Sequence, residues 1–248
     1  MEEQQPLPSA PSLETTFMDV FTSPSEVFQK LKNTAPSPRL WVVPFIATLL
    51  IVIVSVVTIF TNETLKTEMR DVQSKSIQKQ IDSKKLTQEQ ADQAESRMES
   101  MGGLMIVFGV IGGALVTAVF FFGGALFLWL ANKTIFHSNV GYGKHLEMYG
   151  ISSWIGVLGG IITILMMIGL GSMYANPSGS LLVMSDFDPT NHLHKLLSAL
   201  NIFTIWQTAI IGFGITKFSE KPSSSGLSLA FALWAIWVII QVFIGFGM

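Results

Sequence analysis

The sequence predicts an all-α membrane protein: a five-helix transmembrane bundle, with an extramembrane helical hairpin between spans one and two and an amphipathic helix ahead of span one. Two observations predict it. Charged residues make up 13% of the chain and apolar residues 49%, whereas a soluble domain carries about 25% charge. The charge is also unevenly placed, because the stretches 40–60, 103–131, 149–172, 196–216 and 227–248 contain no Asp, Glu, Lys or Arg. Each stretch reaches the roughly 20 apolar residues that cross a bilayer core about 30 Å thick. In hydrocarbon every backbone N–H must find its acceptor within its own segment, so these stretches are expected to be helices.

Residues 1–39 read as a cytoplasmic tail. Its first part, Met1–Ser12, is polar and proline-bearing and is expected to be disordered. Phe17, Val20 and Phe21, then Val27, Phe28 and Leu31, recur at helical spacing over Leu13–Lys32. Ser23-Pro24-Ser25-Glu26 reads as a helix start, with Ser23 as cap and Glu26 closing a capping box. This amphipathic element is expected to lie in the headgroup region or to dock on the bundle. Ala35-Pro36-Ser37-Pro38 then breaks the chain before the membrane domain, 40–248. The first apolar run starts too deep in the chain, and is too long, for a cleaved leader, so it reads as a retained anchor.

Segment 61–102 differs in kind. It holds seven basic and eight acidic residues, no proline, and no glycine before Gly102. Leu65, Met69 and Val72 share one helical face, and Thr87 caps a second run with Ala91, Ala94, Met98, Met101 and Met105 on one face. The expectation is an antiparallel hairpin whose second arm runs into span two and whose charges form a solvated surface. Span two is longer than a bilayer needs and must tilt or protrude. No internal repeat supports an inverted-repeat transporter plan.

Orientation follows from basic residues near short loops. With the N-terminus inside, Lys30, Lys32, Arg39, Lys133, Lys144, Lys217 and Lys221 face the cytoplasm and only Lys195 marks the short outer loop. Segment 61–102 carries seven more basic residues to the outside, but long loops obey the rule poorly. The expectation is a multi-pass protein of the cytoplasmic membrane, with its C-terminus exterior.

Reaction chemistry is hard to find. There is no cysteine, which removes disulfides, thiol nucleophiles and thiolate metal sites. A net charge of −2 offers no strongly basic footprint for nucleic acid. The five apolar runs contain no Asp, Glu, Lys, Arg or His, the groups that proton relays and ion-coupled pumps require, and no His-Glu-x-x-His zinc motif. Asn176-Pro177-Ser178-Gly179 only loosely resembles a serine-nucleophile turn and lies outside the spans. His192 and His194, with Asp186 and Asp188 nearby, are weak candidates for a metal; two histidines two apart are far from specific, and a hydrated loop is the expected reading. The chain is therefore expected to be no enzyme and to need no cofactor.

Packing chemistry is abundant instead. Gly109 and Gly113, and Gly156 and Gly160, set small residues on one face of spans two and three. Lipid supplies no hydrophobic drive between helices, so close backbone contact is what joins them. Spans two and three are expected to pack within the chain on these faces, with an oligomer or partner interface as the other use. Asn201, Thr204 and Gln207 are among the polar residues of span four and Gln241 of span five; they read as interhelical hydrogen-bonding groups, or as the lining of a solute path. Trp206, Trp234 and Trp237 lie well inside their spans and are expected to fill the bundle core.

Three runs carry a family resemblance. Phe21-Thr-Ser-Pro-Ser-Glu-Val-Phe28 ahead of a proline-marked first span, Gly141-Tyr-Gly-Lys-His-Leu146 entering span three, and Leu200-Asn-Ile-Phe-Thr-Ile-Trp206 followed by Gly212 together resemble the bacterial branch of the Yip-domain proteins, the Ypt/Rab-interacting type. The likeness covers roughly Phe17 to Gly245, and the five-span plan agrees with it. Two departures stand out: the family pattern has an acid where Asn201 stands and a proline near Trp154. The resemblance implies a membrane protein without a recognised active site. Eukaryotic members engage Rab GTPases and vesicle machinery; some bacterial members are linked to ABC-type exporters. The resulting expectation is a non-enzymatic membrane adaptor whose partners are the lipid bilayer and either another membrane protein or further copies of itself. The alternative is a transporter or channel for a small or lipid-like solute, using Asn201, Gln207 and Gln241.

Overall fold

The computed structural model describes residues 8–100 and 102–244, and among these it is built of helices: α1 (Leu13–Thr22), α2 (Pro24–Lys32), α3 (Arg39–Thr61), α4 (Glu63–Asp82), α5 (Gln88–Ser100), α6 (Gly102–Ile135), α7 (Tyr142–Leu170), α8 (His192–Ala199), α9 (Ile202–Ser219) and α10 (Ser223–Ile244), with a short 3-10 segment over Gly179–Asp186. Four helices are long and apolar enough to cross a membrane: α3, α6, α7 and α10. At 1.5 Å per residue α6 is about 51 Å long and α7 about 43 Å, so both outrun a bilayer core; α9, at about 27 Å, is the shortest of the bundle helices. The expected disorder of Met1–Leu7 and the last four residues of span five lie outside the described residues.

α7 is the hub, packing against α3, α6 and α9, while α9 carries α10 and α2. Glycines set the closest approaches. At Gly150 an added Cβ would lie 2.5 Å from the Trp41 Cα and 2.8 Å from the Leu40 carbonyl oxygen. That carbonyl is the one Pro44 cannot serve, because proline has no N–H to return to the residue four back. Proline in α3 and glycine in α7 thus let two backbones meet.

The amphipathic segment is two helices, both docked. Val20, Val27, Phe28 and Leu31 are buried among Met148, Ile151, Ile210 and Ile215 of α7 and α9. Phe17 meets Trp154 edge to face, and Phe21 meets Trp206. The expected capping box is not formed. Ser23 ends α1 and begins α2 at once, its backbone N–H donates to the Asp19 carbonyl, and its side chain makes no cap bond. Ser12 caps α1 instead, through Thr15 N–H at 3.1 Å.

Asn62 begins α4 by accepting from the N–H groups of Thr64 and Leu65. α5 starts with a reciprocal cap: Thr87 N–H donates to Gln90 Oε1 at 3.0 Å, and Gln90 N–H donates to Thr87 Oγ1 at 3.3 Å. Leu65 and Ala91 are buried; the side chains of Ala94, Met98 and Met101 lie outside the described residues. The Glu68 carboxylate accepts from Ser172 Oγ at 2.7 Å and from Met173 N–H, which ties α4 to the loop that leaves α7.

The apolar run 196–216 is not one helix. It is divided at Leu200–Asn201, where α8 stops and α9 begins. Asn201 is the cause: its Oδ1 accepts from Phe203 N–H at 2.9 Å and Thr204 N–H at 3.4 Å, the bonds of an N-cap. Ile202 N–H donates to the Pro177 carbonyl, so the preceding turn seals the same break.

Candidate functional site

Three arrangements have functional potential: a buried polar group at one end of the bundle, the glycine faces, and an apolar slot. The polar group stands on the first turns of α7. Lys144, His145 and Glu147 are all buried there, Glu147 at 1% exposure. Lys144 Nζ lies 2.8 Å from Glu147 Oε2 and also donates to Thr34 Oγ1 and the Ala35 carbonyl. Glu147 Oε1 accepts the Ser37 N–H at 2.6 Å. One ion pair therefore clasps the Ala35-Pro36-Ser37-Pro38 break on which α2 turns into α3. Beside it, His145 Nδ1 lies 3.1 Å from the Gly141 carbonyl and its Nε2 lies 3.0 Å from Asn132 Nδ2. A neutral ring protonated on Nδ1 satisfies both bonds. Ser138 Oγ donates to the Phe218 carbonyl at 2.8 Å, and Lys32 pairs with Glu220 in the α9–α10 turn. That bond to Lys32 holds the exposed Glu220 carboxyl below its ordinary range. Sequence reasoning placed Lys144 in a loop and passed over His145 and Glu147. The available signal was the Lys-x-x-Glu spacing beside an apolar run; what buries the pair is residues 34–37, more than a hundred positions away.

Gly109, Gly113, Gly156 and Gly160 face α3 and α9, whereas Gly124 is the α6 glycine that meets α7, an added Cβ lying 3.1 Å from the Tyr149 ring. A Cβ on Gly109 would meet Val56 at 3.0 Å and one on Gly113 would meet Val52 at 2.8 Å, both on α3. Gly160 also faces α3, against Ile51, while Gly156 lies against Gln207 of α9. Gly112 and Gly123 of α6 have no atom within 4 Å of an added Cβ.

The polar candidates disperse. Asn201 is the cap at the start of α9; Thr204 is exposed, Gln207 half-buried against Gly156, and Gln241 half-buried on α10. The acid that the family pattern places at this position would cap equally well, since Asn and Asp are comparable N-caps. Asn201→Ala is expected to cost about 1 kcal/mol, and Asn201→Asp close to nothing; thermal unfolding of the two variants in mild detergent checks it.

His192 and His194 stand two apart on α8 and so point to different sides. His192 stacks on Phe243 of α10, while His194 Nδ1 accepts the Asp188 N–H at 3.0 Å. Among the described residues no three His, Cys, Asp or Glu side chains are grouped to hold a metal. Ser178 Oγ bonds to Ser180 Oγ at 2.8 Å, within its own turn.

The slot lies between α6 and α10, floored by α7 and α9, with a volume of about 520 Å³. Trp234 and Trp237 help to line it, so they do not fill the core as the sequence reading had them; Trp206 does pack against the core cluster. Phe120 and Trp237 meet edge to face at 5.1 Å across it. The remaining wall is aliphatic or aromatic except for Tyr149 and Thr208, and Thr208 Oγ1 donates to the Thr204 carbonyl.

Apolar helices longer than a bilayer is thick, joined by glycine contacts and a capped polar end, define a helical multi-pass membrane protein. The model of the Yip1 domain family matches residues 18–245. The chain belongs to the Yip1 domain family. No curated protein and no solved structure matches it.

Proposed function

We propose that the chain is a non-enzymatic membrane adaptor, working through its lipid-facing helices and its extramembrane helices. In this reading α9 crosses as a fifth span. The N-terminal helices then lie in the cytoplasm, while α4 and α5 form an exterior hairpin. The basic residues support that orientation, since Lys30, Lys32, Arg39, Lys133, Lys217 and Lys221 flank the same helix ends as Lys144.

One observation carries the reading: core and surface are divided among different helices. The buried residues gather on α2, α7 and α9, whereas only 6% of the most apolar window of α3, and of α6, is buried. Gly112 sits on the open surface of α6, where among the described residues no neighbour lies within 4 Å of an added Cβ. Interior glycine disfavours a helix by about 1 kcal/mol relative to alanine, and a close-packed partner helix supplies the compensation. Lys144, His145 and Glu147, and the Lys32–Glu220 pair, are engaged in holding the chain to itself. A bacterial ABC-type exporter is the partner class that the resemblance adds.

Crosslinking in native membranes, followed by mild solubilisation, tests the proposal. The expected result is a fixed-stoichiometry complex with another membrane protein or a second copy, diminished in Gly112→Leu. A lone monomer under every mild condition contradicts it.

A further inference from the structure

We infer that the slot between α6 and α10 holds an acyl chain of a membrane phospholipid, taken from the leaflet nearer the N-terminal helices. Size argues first. The slot is lined on α6 from Val119 to Leu128 and on α10 from Ala230 to Ile240, a run of about 14 Å along the helix axes. Spread over that length, its volume of about 520 Å³ leaves a cross-section of roughly 35–40 Å². A polymethylene chain is slender enough to enter a slot of this cross-section.

Placement argues second. Counted from Ile135, the end of α6, Leu128 lies about 10 Å in and Val119 about 24 Å in. Counted from Ser223, the start of α10, Ala230 and Ile240 lie at about the same two depths. The slot thus runs parallel to the helices, the direction of a lipid tail, from about 10 Å below the helix ends that face the N-terminal helices to past the middle of α10. Phe120 and Trp237 close over its deep end.

Chemistry argues third. The wall has no ionised group, and the Thr208 hydroxyl is already bonded to its own helix. A cavity of this kind does not hold water. Gly123, whose Cβ would meet nothing within 4 Å, leaves the room that the chain fills.

The test uses the whole chain, purified and reconstituted in phosphatidylcholine nanodiscs with a trace of phosphatidylcholine carrying a diazirine near the end of one acyl chain. After photolysis, adducts are mapped by mass spectrometry. Adducts per residue at Phe120, Gly123 and Trp237 are expected to exceed those on the lipid-facing residues Ile46, Leu50 and Val54 of α3 by about ten-fold, the ratio that roughly 1.4 kcal/mol of preference gives. Gly123→Phe is expected to bring the slot down to the α3 level without changing α3. Equal labelling of slot and α3 in the unmodified chain overturns the proposal, whatever the variant does.

Discussion

Lys144→Met is expected to destabilise the protein by about 3–5 kcal/mol, the scale for stranding one member of a buried ion pair. The substitution keeps the length of the side chain and removes only its charge and donors. It leaves Glu147, 1% exposed, with the Ser37 N–H as its remaining partner. It also removes the donor to Thr34 and Ala35, so the loop between α2 and α3 loses the Lys144 half of its clasp. Replacing both charges, Lys144→Met with Glu147→Leu, is expected to recover most of the loss, because a buried pair exchanged for apolar groups of similar volume is often neutral. Thermal unfolding of the two single variants and the double variant in mild detergent gives the cycle. Additive losses would mean that the two residues do not act as a pair.

Gly150→Leu should be comparably severe, at about 3 kcal/mol or more. Its Cβ alone would press on the Trp41 Cα and the Leu40 carbonyl. Both are backbone atoms, so relief requires α3 and α7 to separate along the contact that anchors α3. The control is on the same helix: Gly169 has nothing within 4 Å of an added Cβ, and Gly169→Leu is expected to change stability by about 0.5 kcal/mol at most. Midpoints of thermal unfolding that fall together for the two variants would show that the α3–α7 contact is looser than described.

Helix existence was legible because lipid imposes a simple requirement: long uncharged runs must satisfy their own backbones. Where polar chemistry competes with that requirement, the sequence misleads. The run 196–216 looks continuous in hydropathy, yet one amide side chain, Asn201, turns its backbone into a cap and shortens the helix to Ile202–Ser219. The capping box at Ser23 fails because that residue must end one helix while starting the next. The glycine faces of α6 and α7 were visible in the sequence, but not that their neighbours are Val52, Val56 and Ile51 of α3 and Gln207 of α9. The slot could not be read at all: nothing in the spacing of Trp234 and Trp237 says that α6 and α10 stand apart. Nor could the burial of Glu147, which depends on residues 34–37 folding back over α7.

Whether α9 crosses the membrane is the point on which a five-span bundle stands. The natural chain has no cysteine, so single cysteines report position without background. Ser9→Cys, Ser74→Cys, Asn139→Cys, Asn191→Cys and Ser224→Cys each place a thiol at an exposed residue outside the bundle helices or at a helix end. In intact cells a membrane-impermeant thiol reagent should label positions 74 and 191 at once, and positions 9, 139 and 224 only after permeabilisation. Labelling of 191 and 224 from the same side would contradict the crossing of α9 and, with it, the five-span bundle.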